Sequence, residues 1–400
     1  MTHKDSIIRF AEERGEHFKD LAKAIHAKPE VSNHEYFAQK ALGEALEEEG
    51  FELKYGIGGH PTGFIASSKG AKTGPVIAFL AEYDALPGIG HACGHNLFGA
   101  TSALAASALK QAVDEIGGEV RVYGTPGEEG GENGCAKANF ADQGYFSDVD
   151  AALCAHPGSN THQRSSESLA CVPVEISFTG RASHAASAPE KGVNALDAVI
   201  QVFNSINALR QHLPSDVRIH GIITKGGDAP NIVPEFAQAR FYLRAKALPT
   251  LKNVYAKVKK IVEGAALATG TSGSFKAYNP IIANTVLCPA FDELYRSKIL
   301  ELGERFDDSI RKSFGSSDVG NVSQLIPTIQ PRVKISETPV EGYSIEKREA
   351  CISQAGLDSV VVAGKALALT GLALLEDSEL LANIKREHRF QLEKQSNGTH

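Results

Sequence analysis

The stretch that decides the fold is Val76-Ile77-Ala78-Phe79-Leu80-Ala81-Glu82-Tyr83-Asp84, followed after a turn through Pro87-Gly88 by Gly90-His91-Ala92-Cys93-Gly94-His95-Asn96. The first run is apolar until Glu82 and predicts a buried strand. The second places a thiol and an imidazole two residues apart across a glycine, so that both can turn toward one cation. Sulfur with imidazole nitrogen suits zinc best, and manganese or cobalt less well. Gly88, Gly90 and Gly94 let a loop fold tightly enough to aim both side chains. Taken alone, the stretch also admits a plainer reading, a small buried cysteine beside a surface histidine.

Working outward, residues 119–124 (Glu-Val-Arg-Val-Tyr-Gly) predict another strand, which ends at Thr125-Pro126-Gly127-Glu128-Glu129-Gly130-Gly131. Residues 151–155 predict a third, ending at His156-Pro157-Gly158. Helical stretches lie between them, notably the Ala-rich residues 100–113. Apolar strands that each end in a polar loop with a ligand-type side chain are how an α/β sheet builds a site. Two adjacent glutamates are ordinarily a solvated surface pair. In this company they divide the labour: neighbouring residues point in different directions, so one carboxylate can hold a cation while the other takes a proton from water.

Residues 5–50 predict two helices split near Pro29, and short strands follow at 51–55 and 63–66. From Val172 the texture changes to strand (172–178), helix (194–210), strand (218–223), strand (237–245) and helix (251–268), which predicts an inserted α+β domain. The expected division is therefore a first domain of residues 1–171 and 284–400 interrupted by an inserted domain of residues 172–283. The last portion carries two loops, 314–321 and 337–344, then helices at 359–375 and 377–386 and a frayed tail from Lys394.

With 42% hydrophobic and 22% charged residues, the composition is that of an ordinary globular protein. A net charge of −7 and a pI near 6.1 give no global attraction to nucleic acid or to an anionic membrane. No apolar run is expected to reach bilayer length, and the N-terminus has no secretory h-region. Six scattered cysteines fit a reducing compartment, so the expected location is cytoplasmic.

Together the 80–87 run, the Cys93/His95 stretch, Glu128-Glu129-Gly130-Gly131-Glu132-Asn133-Gly134 and His156-Pro157-Gly158 resemble the zinc aminoacylase/carboxypeptidase family, in the branch with p-aminobenzoyl-glutamate, hippurate and indole-acetyl-amino-acid hydrolases. Gly180-Arg181-Ala182-Ser183-His184, Asn194-Ala195-Leu196-Asp197 and Asn231-Ile232-Val233-Pro234 are similar to that family's lid. The resemblance implies an α/β catalytic domain with a central mixed sheet flanked by helices, plus a ferredoxin-like α+β lid that mediates dimerisation. It makes Cys93, His95, Glu129 and His156 metal ligands and Glu128 the general acid/base. It also makes His184 and Asn231 substrate contacts, and Asp84 the residue that orients the ligands from behind. One departure stands out. The family's last metal-binding histidine is expected where Glu341-Gly342-Tyr343-Ser344 carries Tyr343, and Gln330 replaces a histidine common just upstream. Tyr343 then ligates as phenolate or hydrogen-bonds the reacting centre; His162 is a further, relocated ligand to consider.

The expected function is a metal-dependent amidohydrolase that cleaves the amide bond of a small N-acyl or aminobenzoyl amino acid or dipeptide-like substrate. It would use one or two divalent ions (zinc or manganese, or cobalt) and act as a homo-oligomer, dimer or tetramer, through the lid. Two alternatives are a hydrolytic deaminase acting with a single metal, and a metal-depleted binding or scaffold homologue.

Overall fold

The computed structural model describes residues 2–309 and 315–397, so Phe314 at the start of the expected 314–321 loop lies outside the described residues. Chain contacts separate two units. The larger comprises residues 1–167 and 285–395, and the smaller residues 168–284.

The larger unit opens with three helices where the sequence predicted two: α1 (His3–Glu13), α2 (Gly15–Ala27) and α3 (Tyr36–Glu48). The extra break falls at Arg14, which ends α1 and precedes Gly15, a weak helix former that starts α2. There follow β1 (Glu52–Tyr55), β2 (Phe64–Lys69), β3 (Val76–Ala81), α4 (His95–Ile116), β4 (Glu119–Gly124), α5 (Ala136–Asp142), β5 (Ala151–Leu153), β6 (His156–Pro157) and β7 (His162–Gln163).

The smaller unit contains β8 (Ala170–Thr179), α6 (Ala195–Arg210), β9 (Arg218–Lys225), β10 (Phe236–Ala245), α7 (Leu248–Thr269) and β11 (Ser272–Ala277). The larger unit then resumes with α8 (Pro289–Glu301), β12 (Phe306–Asp307), α9 (Val319–Ser323), β13 (Thr328–Ile329), β14 (Arg332–Val333), α10 (Ile345–Ala350), α11 (Gln354–Glu376) and α12 (Ser378–Asn397). Helix α12 continues past Lys394, where a frayed tail was expected.

The six-stranded sheet of the larger unit runs β1-β2-β4-β3-β5-β13. β1 and β2 are antiparallel, as are β2 and β4, while β3, β4, β5 and β13 are mutually parallel. This is the mixed sheet expected for the fold class. The parallel strands send their C-terminal loops to one edge of the sheet, and Glu82, Thr125, Cys154 and Gln330 follow directly from β3, β4, β5 and β13. Gathering ligands outside the strand ends is thus a consequence of strand direction. A second small sheet, β12-β7-β14-β6, holds His156 and His162.

The core is built by α4 and α11, which pack together along Ala- and Leu-rich faces. α11 has the length and composition to cross a bilayer, against the expectation that no run would. Its flanks are buried against α1, α2, α4 and α8, so its apolarity is that of a core helix. In the smaller unit an antiparallel sheet in the order β11-β8-β10-β9 packs α6 and α7 on one face. β11 is a fourth strand that the β-α-β-β-α pattern read from the residues did not include; its residues are largely exposed, so hydrophobic periodicity carried no signal.

Candidate metal centre

His95 is the first residue of α4 and not a loop residue, while Cys93 lies in the bend before it. The glycine between them is required twice over. Gly94 has φ +92°, and a Cβ there would sit 2.7 Å from Pro157 Cβ. The close approach of Pro157 brings the Cys93 and His156 side chains together, with Cys93 Sγ 3.4 Å from His156 Nε2.

Asp84 fixes the His95 ring, since Nδ1 donates to its Oδ1 at 2.8 Å and lies 3.1 Å from its backbone O. The Nε2 atom is thereby directed at the ligand cluster, the usual arrangement behind a metal-binding histidine. In the same way His156 Nδ1 donates to Pro157 O at 2.9 Å, so its Nε2 lone pair faces Cys93. Ligand atoms of Cys93, His95 and His156 lie within 4.8 Å of one another, and so do those of Glu82, His95 and Glu128.

Glu129 Oε1 is buried without a hydrogen-bond partner, while His95 Nε2 faces Glu82 Oε2 at 3.1 Å and Glu82 Oε1 faces Lys137 Nζ at 3.0 Å. Burying a carboxylate oxygen unpaired is costly, and a divalent cation would satisfy it. Thiolate, two imidazoles and carboxylates are also a donor set suited to a borderline-soft divalent ion. The residues present therefore fit a metal.

The electrostatics agree. Burial, then Arg332 and Lys347, holds the His156 imidazole well below its usual range, leaving it neutral and able to ligate. Burial alone would lower His95, but Cys93, Asp84 and Glu82 outweigh it and hold the ring well above its usual range. Burial pushes the Cys93 thiol up to about 12. Without a cation, then, both residues keep protons that ligation would displace. Glu128 is raised well above the ordinary carboxyl range by burial and by the neighbouring Glu82 and Glu129 charges. Its Oε2 lies 4.0 Å from His95 Nε2.

Glu129 lies outside both groups of close ligand atoms. Its backbone N–H donates to Asp84 Oδ2 at 2.9 Å, and its Oε2 accepts the Tyr343 hydroxyl at 2.7 Å. Burial raises its carboxyl, while the neighbouring His95 and then hydrogen bonds from Tyr343 and Cys93 pull it back. Tyr343 sits in the left-handed region at φ 59°, an uncommon conformation for an aromatic residue, with 58% of its surface exposed. Burial of its hydroxyl end, with Cys93 and Glu129 nearby, pushes the phenol further up, so it donates as a neutral hydroxyl. His162 is engaged elsewhere, with Nδ1 accepting from Lys334 N at 3.4 Å and Nε2 3.7 Å from Glu304.

Three residues at this centre carried no assignment in the sequence reading. Glu82 is fully buried, with Oε2 3.1 Å from His95 Nε2 and Oε1 3.0 Å from Lys137 Nζ. Lys137 is fully buried on α5 and pairs with Asp318 Oδ1 at 2.7 Å. The signals were a carboxylate at the end of an apolar strand and a lysine flanked by Cys135, Ala136 and Ala138. A fourth residue, Glu35, accepts from Gly127 N at 3.0 Å and from Thr62 Oγ1 at 2.7 Å, so the Glu128 loop hangs between Glu35 and Asp84.

In the smaller unit His184 is exposed, and its Nδ1 accepts from the backbone N–H groups of Ala186 and Ser187, both at 3.2 Å. The neutral ring therefore carries its proton on Nε2. Asn231, also exposed, accepts from Ala185 N through its backbone carbonyl at 3.0 Å. A bridge between His184 and Ile232 ties the two loops together.

Comparison with known proteins places these features in a family. Residues 172–269 match a family described as a peptidase dimerisation domain. The chain is 34% identical to an Xaa-Arg dipeptidase from Mus musculus over 96% of its own length and 91% of the relative's. It is 38% identical to one of the p-aminobenzoyl-glutamate hydrolase chains of Escherichia coli over 64% of its own length and 56% of the relative's. Among solved structures, a dinuclear metal-binding peptidase of the M20 family from Bacillus subtilis superposes with a TM-score of 0.65 at 22% identity, covering 91% of this chain and 99% of that one.

Proposed function

This chain belongs to the M20 peptidase family, and from that premise we propose that it is a metal-dependent amidohydrolase that cleaves the amide bond of a small N-acyl amino acid, aminobenzoyl amino acid or dipeptide-like compound. The observation that carries the reading is the largely buried Glu128 carboxyl beside His95, in a pocket where Glu129 Oε1 is buried without a hydrogen-bond partner. The relatives' activities favour an amide substrate over an amine: one is a dipeptidase and another a p-aminobenzoyl-glutamate hydrolase.

In this reading Cys93, His95, His156 and Glu129 hold a divalent ion, zinc or manganese. When bound, that ion supplies the Lewis acidity that makes water nucleophilic at neutral pH and polarises the carbonyl. Glu128 takes the proton from the attacking water and returns it to the leaving amine, a task suited to a carboxyl with a raised pKa. Asp84 holds both the His95 ring and the Glu129 backbone. Tyr343 donates to Glu129 and orients it. His184, with its proton on Nε2, donates to the substrate oxygen as negative charge develops there, and Asn231 contacts the substrate beside it.

The smaller unit pairs copies of the chain, consistent with its match to a dimerisation domain and with Ile222, Ile223 and Tyr242 exposed on its sheet. The decisive experiment is Glu128→Gln, measured against a panel of N-acyl amino acids and dipeptides with product identification. Turnover should fall by about 10²- to 10⁴-fold while metal content stays at the wild-type level. An unchanged rate would remove Glu128 from the mechanism, and deamination of the panel without amide cleavage would replace the reaction assigned here.

A further inference from the structure

Lys347 lies on α10 with only 4% of its surface exposed, and its Nζ donates to Pro157 O at 2.9 Å and to Gly158 O at 2.5 Å. Withdrawing an ammonium from water is costly unless strong acceptors meet it. Here the acceptors include two consecutive carbonyls of the segment that carries His156. Filling this space needs only an apolar side chain. A cation with several donors does something more, which is to fix the direction of the carbonyls it faces.

Pro157 O is also the atom that accepts from His156 Nδ1 at 2.9 Å and so sets which way the ring points. A carbonyl oxygen has two lone pairs, enough for both donors. Two successive carbonyls aimed at one ammonium leave the peptide between them little freedom to rotate, and the Pro157 ring already fixes φ on one side. On the other side Gly158 N donates to Val333 O at 2.7 Å. The direction of the His156 Nε2 lone pair is therefore tied to a side chain on α10.

The same segment reaches a second ligand. Tyr343 donates to Glu129 Oε2 at 2.7 Å. Ser344, between the two, caps α10 by accepting from Lys347 N at 3.0 Å, so Tyr343 and Lys347 stand on one turn. That turn holds Glu129, beyond the end of β4, and His156, on β6.

We propose that Lys347 is a positioning residue for His156, and that with Tyr343 it makes residues 343–347 a brace that sets the His156 and Glu129 ligands for a cation. The proposal rests on the metal-dependent reading above.

The test uses the full chain, stripped with chelator and titrated with cobalt(II) chloride. Affinity is read by competition with a chelating dye, and ligand geometry by the cobalt ligand-field bands. Lys347→Met should weaken cobalt binding by about 10- to 100-fold, as loss of a group behind a ligand does, and should shift those bands. Tyr343→Phe should weaken binding too, and the double variant should lose less than the two losses combined, because either cut frees the brace.

A folded Lys347→Met protein with wild-type affinity and wild-type bands would show that the lysine serves packing alone and would overturn the proposal, while the hydrolase reading stands. Losses that combine in full would overturn the brace. Should Lys347→Met fail to fold, a crystal structure of the cobalt-loaded wild type decides. Ligation through His156 Nε2 with Lys347 on both carbonyls supports the proposal; ligation through Nδ1, or Lys347 turned away, overturns it. A wild-type chain that takes up no cobalt removes the metal-dependent reading, and this proposal falls with it.

Discussion

The two units handle their polar side chains in opposite ways. In the larger, Glu82, Asp84, His95, Lys137 and Asp318 are withdrawn from solvent, each facing a charged or metal-ligating neighbour. In the smaller, His184 and Asn231 sit on exposed loops tied by backbone hydrogen bonds. Parallel strands force the first arrangement, because their ends converge at one sheet edge under the cover of α4 and the neighbouring loops. An antiparallel sheet with helices on one face leaves the second free to present side chains outward. Buried charges persist only when paired, so a substitution in the larger unit disturbs chemistry and folding together. A loop substitution in the smaller unit should touch chemistry alone.

Experiments can break that contrast, and the largest effect should come from Glu128→Gln. Losing the proton carrier should lower kcat by about 10²- to 10⁴-fold. Next, His184→Ala should cost on the order of 10²-fold in kcat, as removal of an oxyanion donor does, with an unchanged melting temperature. A lowered melting temperature would show that the exposed loops are structural and would erase the contrast.

Asp84→Asn should weaken metal affinity by about 10- to 100-fold, read by chelator competition, because the His95 ring loses the carboxylate that fixes it. A further effect is one of pH. Burial, and then the Asp84 charge, pushes Glu35 up to about 7. The folded chain keeps a proton there that the unfolded chain releases from about pH 4.5 upward. Stability from this group is therefore fully present below that pH and is lost as pH rises to about 7, at most about 3 kcal/mol. Glu35→Gln should flatten the melting temperature between those limits, and an unchanged slope would mean that Glu35 is already ionised in the fold.

Much of this was legible beforehand for definite reasons. The run from Val76 announces itself by continuous apolarity and the strand 119–124 by β-branched residues alternating with Glu119 and Arg121, and β4 begins and ends where the pattern predicts. Helix α6 has Asn194 as its cap, accepting from Leu196 N at 2.9 Å, as an Asn ahead of an apolar period suggests. The hidden parts lacked local contrast. β11 alternates no apolar face, and Gly15 breaks a charged helix that looks continuous.

Local chemistry alone set the residue types at strand ends, Cys-Gly-His, Glu-Glu and His-Pro-Gly, and with them the case for a divalent ion. What it could not convey was which charges would meet. Glu82 and Lys137 lie on separate segments, and Asp318 comes far along the chain after the interrupting unit, so their pairing depends on strands β3 and β4 aligning and on α5 and α9 packing beside them. Electrostatic partners are chosen by distance in space, and only the tertiary structure supplies that distance.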